Sequence, residues 1–238
     1  MKQENYVPAV YAEKPTGVSG KYTFIRTVQV IDDLVKLGWH PAVMKGNRHS
    51  TVARHLVRFR QAGVVGEEVP EIILINSHDG LCSFQLRAGV FRFACSNGLI
   101  IAESLFSAIS IRHINYSFAQ VKAATAEFAQ RLPQIMESVE NFKGRNLSLG
   151  DRFAFAEEAI KLRWPEETPP INIVRFIAPR RGADEGIDLW KVLNVCQEKL
   201  LEGRFYDLKG RRIRRLQNVD RIVKVNQGLF KLALEYAA

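Results

Sequence analysis

EIILINSHDGLCSFQLRAGVFRFACSNGLII, residues 71–101, alternates apolar and polar residues in a way that a helix cannot use. Ile72 to Ile75 make one strand core, and Asn76-Ser77-His78-Asp79-Gly80 supply turn-forming groups in a single run. Cys82, Phe84 and Leu86 then alternate with Ser83, Gln85 and Arg87. Ala88-Gly89 permit a second reversal, after which Phe91, Phe93 and Cys95 alternate with Arg92, Ala94 and Ser96. Ser96-Asn97-Gly98 close the set. A side-chain period of two punctuated by turns predicts an antiparallel meander with one apolar and one polar face.

The flanking segments fit around such a sheet. Residues 1–20 carry Pro8, Pro15, Gly17 and Gly20 and are expected to form an extended arm. Val30, Ile31, Leu34, Val35 and Leu37 recur at helical spacing, with Gly38 to end that helix and a short strand expected from Trp39-Pro41. Residues 46–63 alternate as a strand, with Val52, His55, Val57 and Phe59 marking it and Arg54, Leu56, Arg58 and Arg60 on the other phase. The second half is helical: residues 117–142 with Pro133 as a kink or break, 147–164 opening after Ser148 or Asp151, 188–203, and the C terminus. PEETPP connects two of these helices, and a short apolar run, INIVRFI, follows it. The fold class expected is α+β, with an antiparallel sheet in the N-terminal half packed with a mainly helical C-terminal half. Its parts are an arm at 1–20, a sheet-rich region at 21–116 and a helical region at 117–238, all within one continuous globular unit.

Charge narrows the function. Thirty-four Lys and Arg against 25 Asp and Glu leave a formal charge of +9 over 238 residues. Most of it is concentrated. Arg204, Lys209, Arg211, Arg212, Arg214, Arg215, Arg221 and Lys224 face only Asp207 and Asp220 within residues 204–224. A basic field of that density attracts polyanions, and each phosphate neutralised releases counterions. Ile213, Leu216 and Val219 recur through the run, so one side can anchor while the arginines point outward. A second basic set holds Arg48, Arg54, Arg58, Arg60, Arg87 and Arg92, interleaved with Phe59, Phe91 and Phe93. Arg54, Arg58 and Arg60 share a strand face, and Trp39 and Tyr116 are candidates to stack bases.

Other chemistry finds little support. The cysteines at 82, 95 and 196 lack zinc-site spacing, the five histidines form no HxH or HExxH pair, and no phosphate-cradling glycine loop occurs. The longest apolar run falls well short of the ~20 residues needed to cross a bilayer. Neither a metal nor a cofactor is expected, and a cytoplasmic setting without a membrane partner fits.

The pair NSHDG (76–80) and GVFRFACSNGL (89–99), with HLVRFR (55–60) and VDRIVKVNQGLFKLALEYA (219–237), resembles the DUF932 family. That family comprises phage-, prophage- and plasmid-associated proteins, among them the UPF0380 group. The resemblance implies a mobile-element context and no established activity.

His78-Asp79 is the place where catalysis would sit, as a metal-dependent nuclease or hydrolase pair. Turn chemistry accounts for the same residues, leaving Asn76, Ser77, His78, Asp79 and Asn97 as a candidate functional turn with no catalytic residue assigned. The leading expectation is a non-enzymatic nucleic-acid-binding accessory protein of a mobile element, reading backbone or single strands of DNA rather than base sequence. An interaction or inhibitor protein aimed at a nucleic-acid or host-defence enzyme is the alternative. Oligomerisation is open to either.

Overall fold

Val30, Ile31 and Leu34, three and four residues apart, are buried on one side of helix α1 (Thr27–Lys36). The next residues leave the helix for strand β1 (Trp39–Gly46). The structure is a computed structural model that describes residues 6–18, 22–93, 97–101, 108–111 and 117–238. Cys95 and Tyr116 lie outside the described residues.

The architecture is α+β, with an antiparallel sheet in the N-terminal half and helices in the C-terminal half. By contacts the chain divides into two units, Met1–Val90 with Phe106–Leu132, and Phe91–Leu105 with Pro133–Ala238. Two of the three chain crossings, at Val90/Phe91 and Leu132/Pro133, fall inside a strand and a helix, so composition gives no linker to mark them.

In the first unit β1, β2 (His55–Gln61), β3 (Glu68–Asn76) and β4 (Phe84–Arg92) are neighbours in chain order, and β6 (Ile109–Ile111) pairs antiparallel with β4. Pro41 has no N–H to donate, and it sits on the outermost strand of that order, where the register shifts between Pro41 and Val43. Leu56, Phe59, Ile73, Leu74 and Phe84 are fully buried, and Trp39 packs edge-on against Phe128 at 5.3 Å. Two expectations change here. Ala88 and Gly89 do not reverse the chain, because β4 runs straight through them. Residues 7–12 are no extended arm: Pro8–Tyr11 form a 3-10 turn that buries Val7, Ala9, Val10 and Ala12.

The second unit holds β5 (Asn97–Ile100) and five helices or parts of them among its described residues. These are α2 (Phe118–Gly144) from Pro133 onward, α3 (Leu149–Arg163), α4 (Ile173–Ile177), α5 (Leu189–Glu202) and α6 (Val219–Ala237). Pro133 does not end α2, which continues for three further turns. Ser148 and Asp151 cap α3 reciprocally, each side chain accepting from the other's backbone N–H, a motif worth about 1 kcal/mol. Asp188 caps α5 and Asn218 caps α6 by accepting from Lys191 and Arg221 N–H. Phe142, Trp190 and Phe230 form an aromatic centre, with Phe142 5.4 Å from Phe230 and 6.5 Å from Trp190. Between α5 and α6 lies a small hairpin, β7 (Phe205–Tyr206) and β8 (Arg212–Ile213).

Candidate nucleic-acid interface

The basic segment is a hairpin and an extended strand leading into a helix, with no helical face of its own before Val219. Its mount starts at Gly203, which ends α5 with φ +65°, ψ −115°, and a Cβ there would run into the Ile213 carbonyl oxygen. Arg204 follows, also at positive φ (+65°), an uncommon conformation for a residue with a side chain. Its N–H donates to the Ile213 carbonyl at 3.1 Å. The turn is tied by Asp207, whose carboxylate accepts from Lys209 N, Arg211 N and Arg211 Nε at 2.7–2.9 Å. Leu216 N–H donates to Leu201, and Leu216 and Val219 are buried, so the expected apolar anchor is present apart from a half-buried Ile213.

From this mount all eight basic residues of 204–224 are exposed. Arg204, Arg211, Arg212, Arg214 and Arg215 line one open cavity of about 750 Å³ with Ile213 and Glu202. Glu202 is the single carboxylate there, 3.1 Å from Arg215 and 3.9 Å from Arg204. Five guanidinium groups against one lining carboxylate, with Arg211 also paired to Asp207, give a concave positive surface that a chain of phosphates can follow. Lys209 sits in the hairpin turn, outside the lining. Arg221 and Lys224 belong to a neighbouring cavity of about 420 Å³ with Arg163 and Trp164.

Arg163 joins the two. It is buried, and it donates through Nη1 to the Leu200 carbonyl and through Nη2 to the Arg214 carbonyl at 2.6 Å. Its own carbonyl accepts from Arg221 Nη2 at 2.7 Å. Burial, with help from the Arg221 charge, lowers its pKa to about 10, so it stays cationic at neutral pH.

Much of the second basic set is paired with carboxylates inside its own unit. Arg58 is 3% exposed and donates to Glu71 at 2.6 Å, while Arg60 holds the other Glu71 oxygen at 2.9 Å. Arg92 is buried on Asp184 and the Ala183 carbonyl. The expected phosphate-facing row of Arg54, Arg58 and Arg60 is therefore corrected: Arg58 spends its charge inside, and Arg54 is half-buried in the electrostatic reach of Asp79 and Cys82. Trp39 is also too buried to stack a base. Of the interleaved phenylalanines, Phe59 and Phe91 are core and Phe93 is 52% exposed.

The NSHDG turn builds a buried polar cluster. Asn76 ends β3, and its Nδ2 donates to Thr27 Oγ1 at 3.1 Å while its Oδ1 accepts from Ser77 N. His55 Nδ1 pairs with the Ala53 carbonyl at 3.0 Å, which sets Nε2 as the acceptor of the Thr27 hydroxyl at 2.8 Å. His78 Nε2 donates to the Ala9 carbonyl at 2.8 Å, stitching the N-terminal turn to this loop. The Asp79 carboxylate turns elsewhere, accepting from Ser77 Oγ and Leu81 N at 2.7 and 3.0 Å. Burial raises its pKa, but those hydrogen bonds outweigh it and hold the group below the ordinary carboxylate range. His55 and His78 are 0% exposed, so this cluster reads as a polar staple. Among the described residues no group of three or more His, Cys, Asp or Glu is placed to hold a metal. Asn97 opens β5, and its side chain lies outside the described residues.

Burial pushes the His55 pKa down to about 4, helped by His78 and opposed by the Ala53 hydrogen bond and the Asp79 charge. The unfolded chain therefore takes up a proton near pH 6.5 that the folded chain refuses. Stability from this group is complete above about pH 6.5 and is lost as the pH falls to about 4, roughly 3 kcal/mol in all. Urea midpoints are expected to fall across that window, and His55→Gln should flatten the slope; an unchanged slope sinks the assignment.

Sequence reasoning misses Arg163, Trp164 and Glu202. Trp164 had one signal, its place at the end of a helix directly before the proline-rich connector. The other two look like any charged residue near a helix end.

An α+β protein with an arginine-lined groove is the class these features define. The chain belongs to the DUF932 family: the model for that domain of unknown function matches residues 16–229. It is 32% identical to the UPF0380 protein YfjQ of Escherichia coli (strain K12) over 95% of this chain and 87% of that protein. It is 33% identical to the UPF0380 protein YafZ of the same organism, with the same coverage. No solved structure gives a significant match.

Proposed function

We propose that this chain is a non-enzymatic nucleic-acid-binding accessory protein of a mobile genetic element, gripping the phosphate backbone rather than reading base sequence. The observation that carries the reading is the convergence of Arg204, Arg211, Arg212, Arg214 and Arg215 on one groove whose lining holds a single carboxylate, Glu202. The mobile-element setting rests on the family resemblance. Fluorescence anisotropy with labelled single- and double-stranded DNA over a salt series tests the proposal. Five phosphate contacts predict that log K falls against log salt with a slope of about −3.5 for a single strand and about −4.5 for a duplex. Absence of binding at low salt, or affinity indifferent to salt, overturns it.

A second reading, an interaction or inhibitor protein, draws on the same hairpin. Tyr206 and Leu208 are 65% and 66% exposed beside the arginines, a mixture that suits an acidic protein surface with apolar contacts. That reading gains if DNA fails to bind and an acidic protein partner does.

A further inference from the structure

Trp164 differs from the other two tryptophans of the chain. Trp39 and Trp190 are 4% and 2% exposed, whereas Trp164 is half-buried at the C-terminal cap of α3. The Arg163 guanidinium lies over its ring, 4.6 Å from the centroid. The indole also lines the smaller cavity with Pro165, Glu166, Glu167, Arg221 and Lys224.

That cavity is chemically unlike the arginine groove. Arg163, Arg221 and Lys224 are offset by Glu166 and Glu167, so a run of phosphates gains less here than beside the five arginines. An aromatic wall with both donors and acceptors around it matches a nucleobase, which has π faces and a mixed donor–acceptor edge. The two cavities are also coupled mechanically. Arg163 grips the Arg214 carbonyl on one side, and Arg221 grips the Arg163 carbonyl on the other. A strand whose phosphates follow the arginines can therefore place a base against a ring held in fixed relation to them.

We infer that Trp164 is a base-stacking platform beside the arginine groove, and that the polyanion this protein holds is a single strand with unpaired bases. The inference rests on the nucleic-acid reading above and specifies its ligand. Bases in a duplex are already stacked on one another and cannot reach a ring in a side cavity without unpairing. A single strand can turn one out at little cost.

Intrinsic fluorescence gives a direct test, because the indole open to a ligand is Trp164. The probes are oligothymidylate, an abasic deoxyribose-phosphate chain of equal length, inorganic polyphosphate, duplex DNA, and vesicles of anionic phospholipid. Oligothymidylate is expected to quench the emission, while the abasic chain and polyphosphate bind without quenching. Trp164→Ala should weaken oligothymidylate binding by about 5- to 100-fold and leave abasic-chain affinity unchanged. Trp164→Phe should recover most of the loss, which separates stacking from a general disturbance of the α3 end. Abasic and base-bearing chains binding alike, with no effect of Trp164→Ala, overturn the stacking platform and leave the groove reading standing. Binding to lipid vesicles or duplex DNA as tight as to oligothymidylate overturns the single-strand assignment. If no polyanion binds at all, the groove reading itself fails, and the abasic chain is the probe that reports this.

Discussion

Replacing Arg211, Arg212, Arg214 and Arg215 together by glutamine is expected to remove nearly all nucleic-acid affinity while leaving the fold intact. Each lost phosphate contact takes a slope of about 0.7 with it, so four lost contacts leave the log K against log salt line flatter by about 3. At about 150 mM salt this alone weakens binding of a single strand roughly 200-fold. The fold survives for reasons visible in the hairpin. Arg214 is held through its backbone carbonyl, which glutamine keeps. Asp207 loses the Arg211 Nε contact but still accepts from the Lys209 and Arg211 backbone N–H groups. The Arg215–Glu202 pair is half exposed, and pairs of that kind stabilise by about 1 kcal/mol at most. Circular dichroism should thus be unchanged when anisotropy is lost. The matching lysine variant keeps the charge and loses the planar fork, so it should retain the salt slope with weaker affinity. Wild-type affinity in the glutamine variant would mean the groove is not the binding surface.

The sheet was legible because its alternation is local. Phase assigns Phe84 and Leu86 to the buried side without knowledge of any other strand, and the structure buries both. One helix start was legible for the same reason: the opening expected after Ser148 or Asp151 falls at Ser148, and the cap it makes with Asp151 is carried within four residues. The N-terminal turn was hidden because Pro8 and Gly17 suggest loop, while the apolar partners that bury Val7 to Ala12 lie far along the chain. The same limit governed the candidate site. Arg212, Arg214 and Arg215 are exposed as their clustering suggests, since no stretch of 21 residues can bury that many like charges. Arg58 and Arg60 look equivalent to them in sequence. What makes them different is Glu71, eleven or more residues away on the adjacent strand, opposite Arg60 in register. Alternation within β2 gave no warning, because the strand is buried on both faces over residues 55–59.

That hidden pairing carries the largest expected change in stability. Glu71 is 0% exposed and accepts from both Arg58 and Arg60, and Arg58 is 4% exposed along its side chain. Glu71→Ala removes the carboxylate that both arginines hold, while the Arg58 side chain stays 4% exposed. Breaking a buried ion pair by removing one partner costs about 3–5 kcal/mol. Arg60, with 23% of its side chain exposed, can turn to water and suffers less. The cost comes from breaking a buried pair on one side only. Removing both partners makes the distinction measurable. Arg58→Met with Glu71→Leu fills the same space with apolar groups and buries no charge, so it should recover most of the stability lost in Glu71→Ala. Urea midpoints of the wild type, Glu71→Ala, Arg58→Met and the double variant complete the comparison. Equal losses in Glu71→Ala and in the double variant would show that the first unit depends on the ion pair itself rather than on keeping the two partners balanced. The double variant should also bind oligothymidylate as the wild type does, because Arg58 faces the interior and has no phosphate to hold.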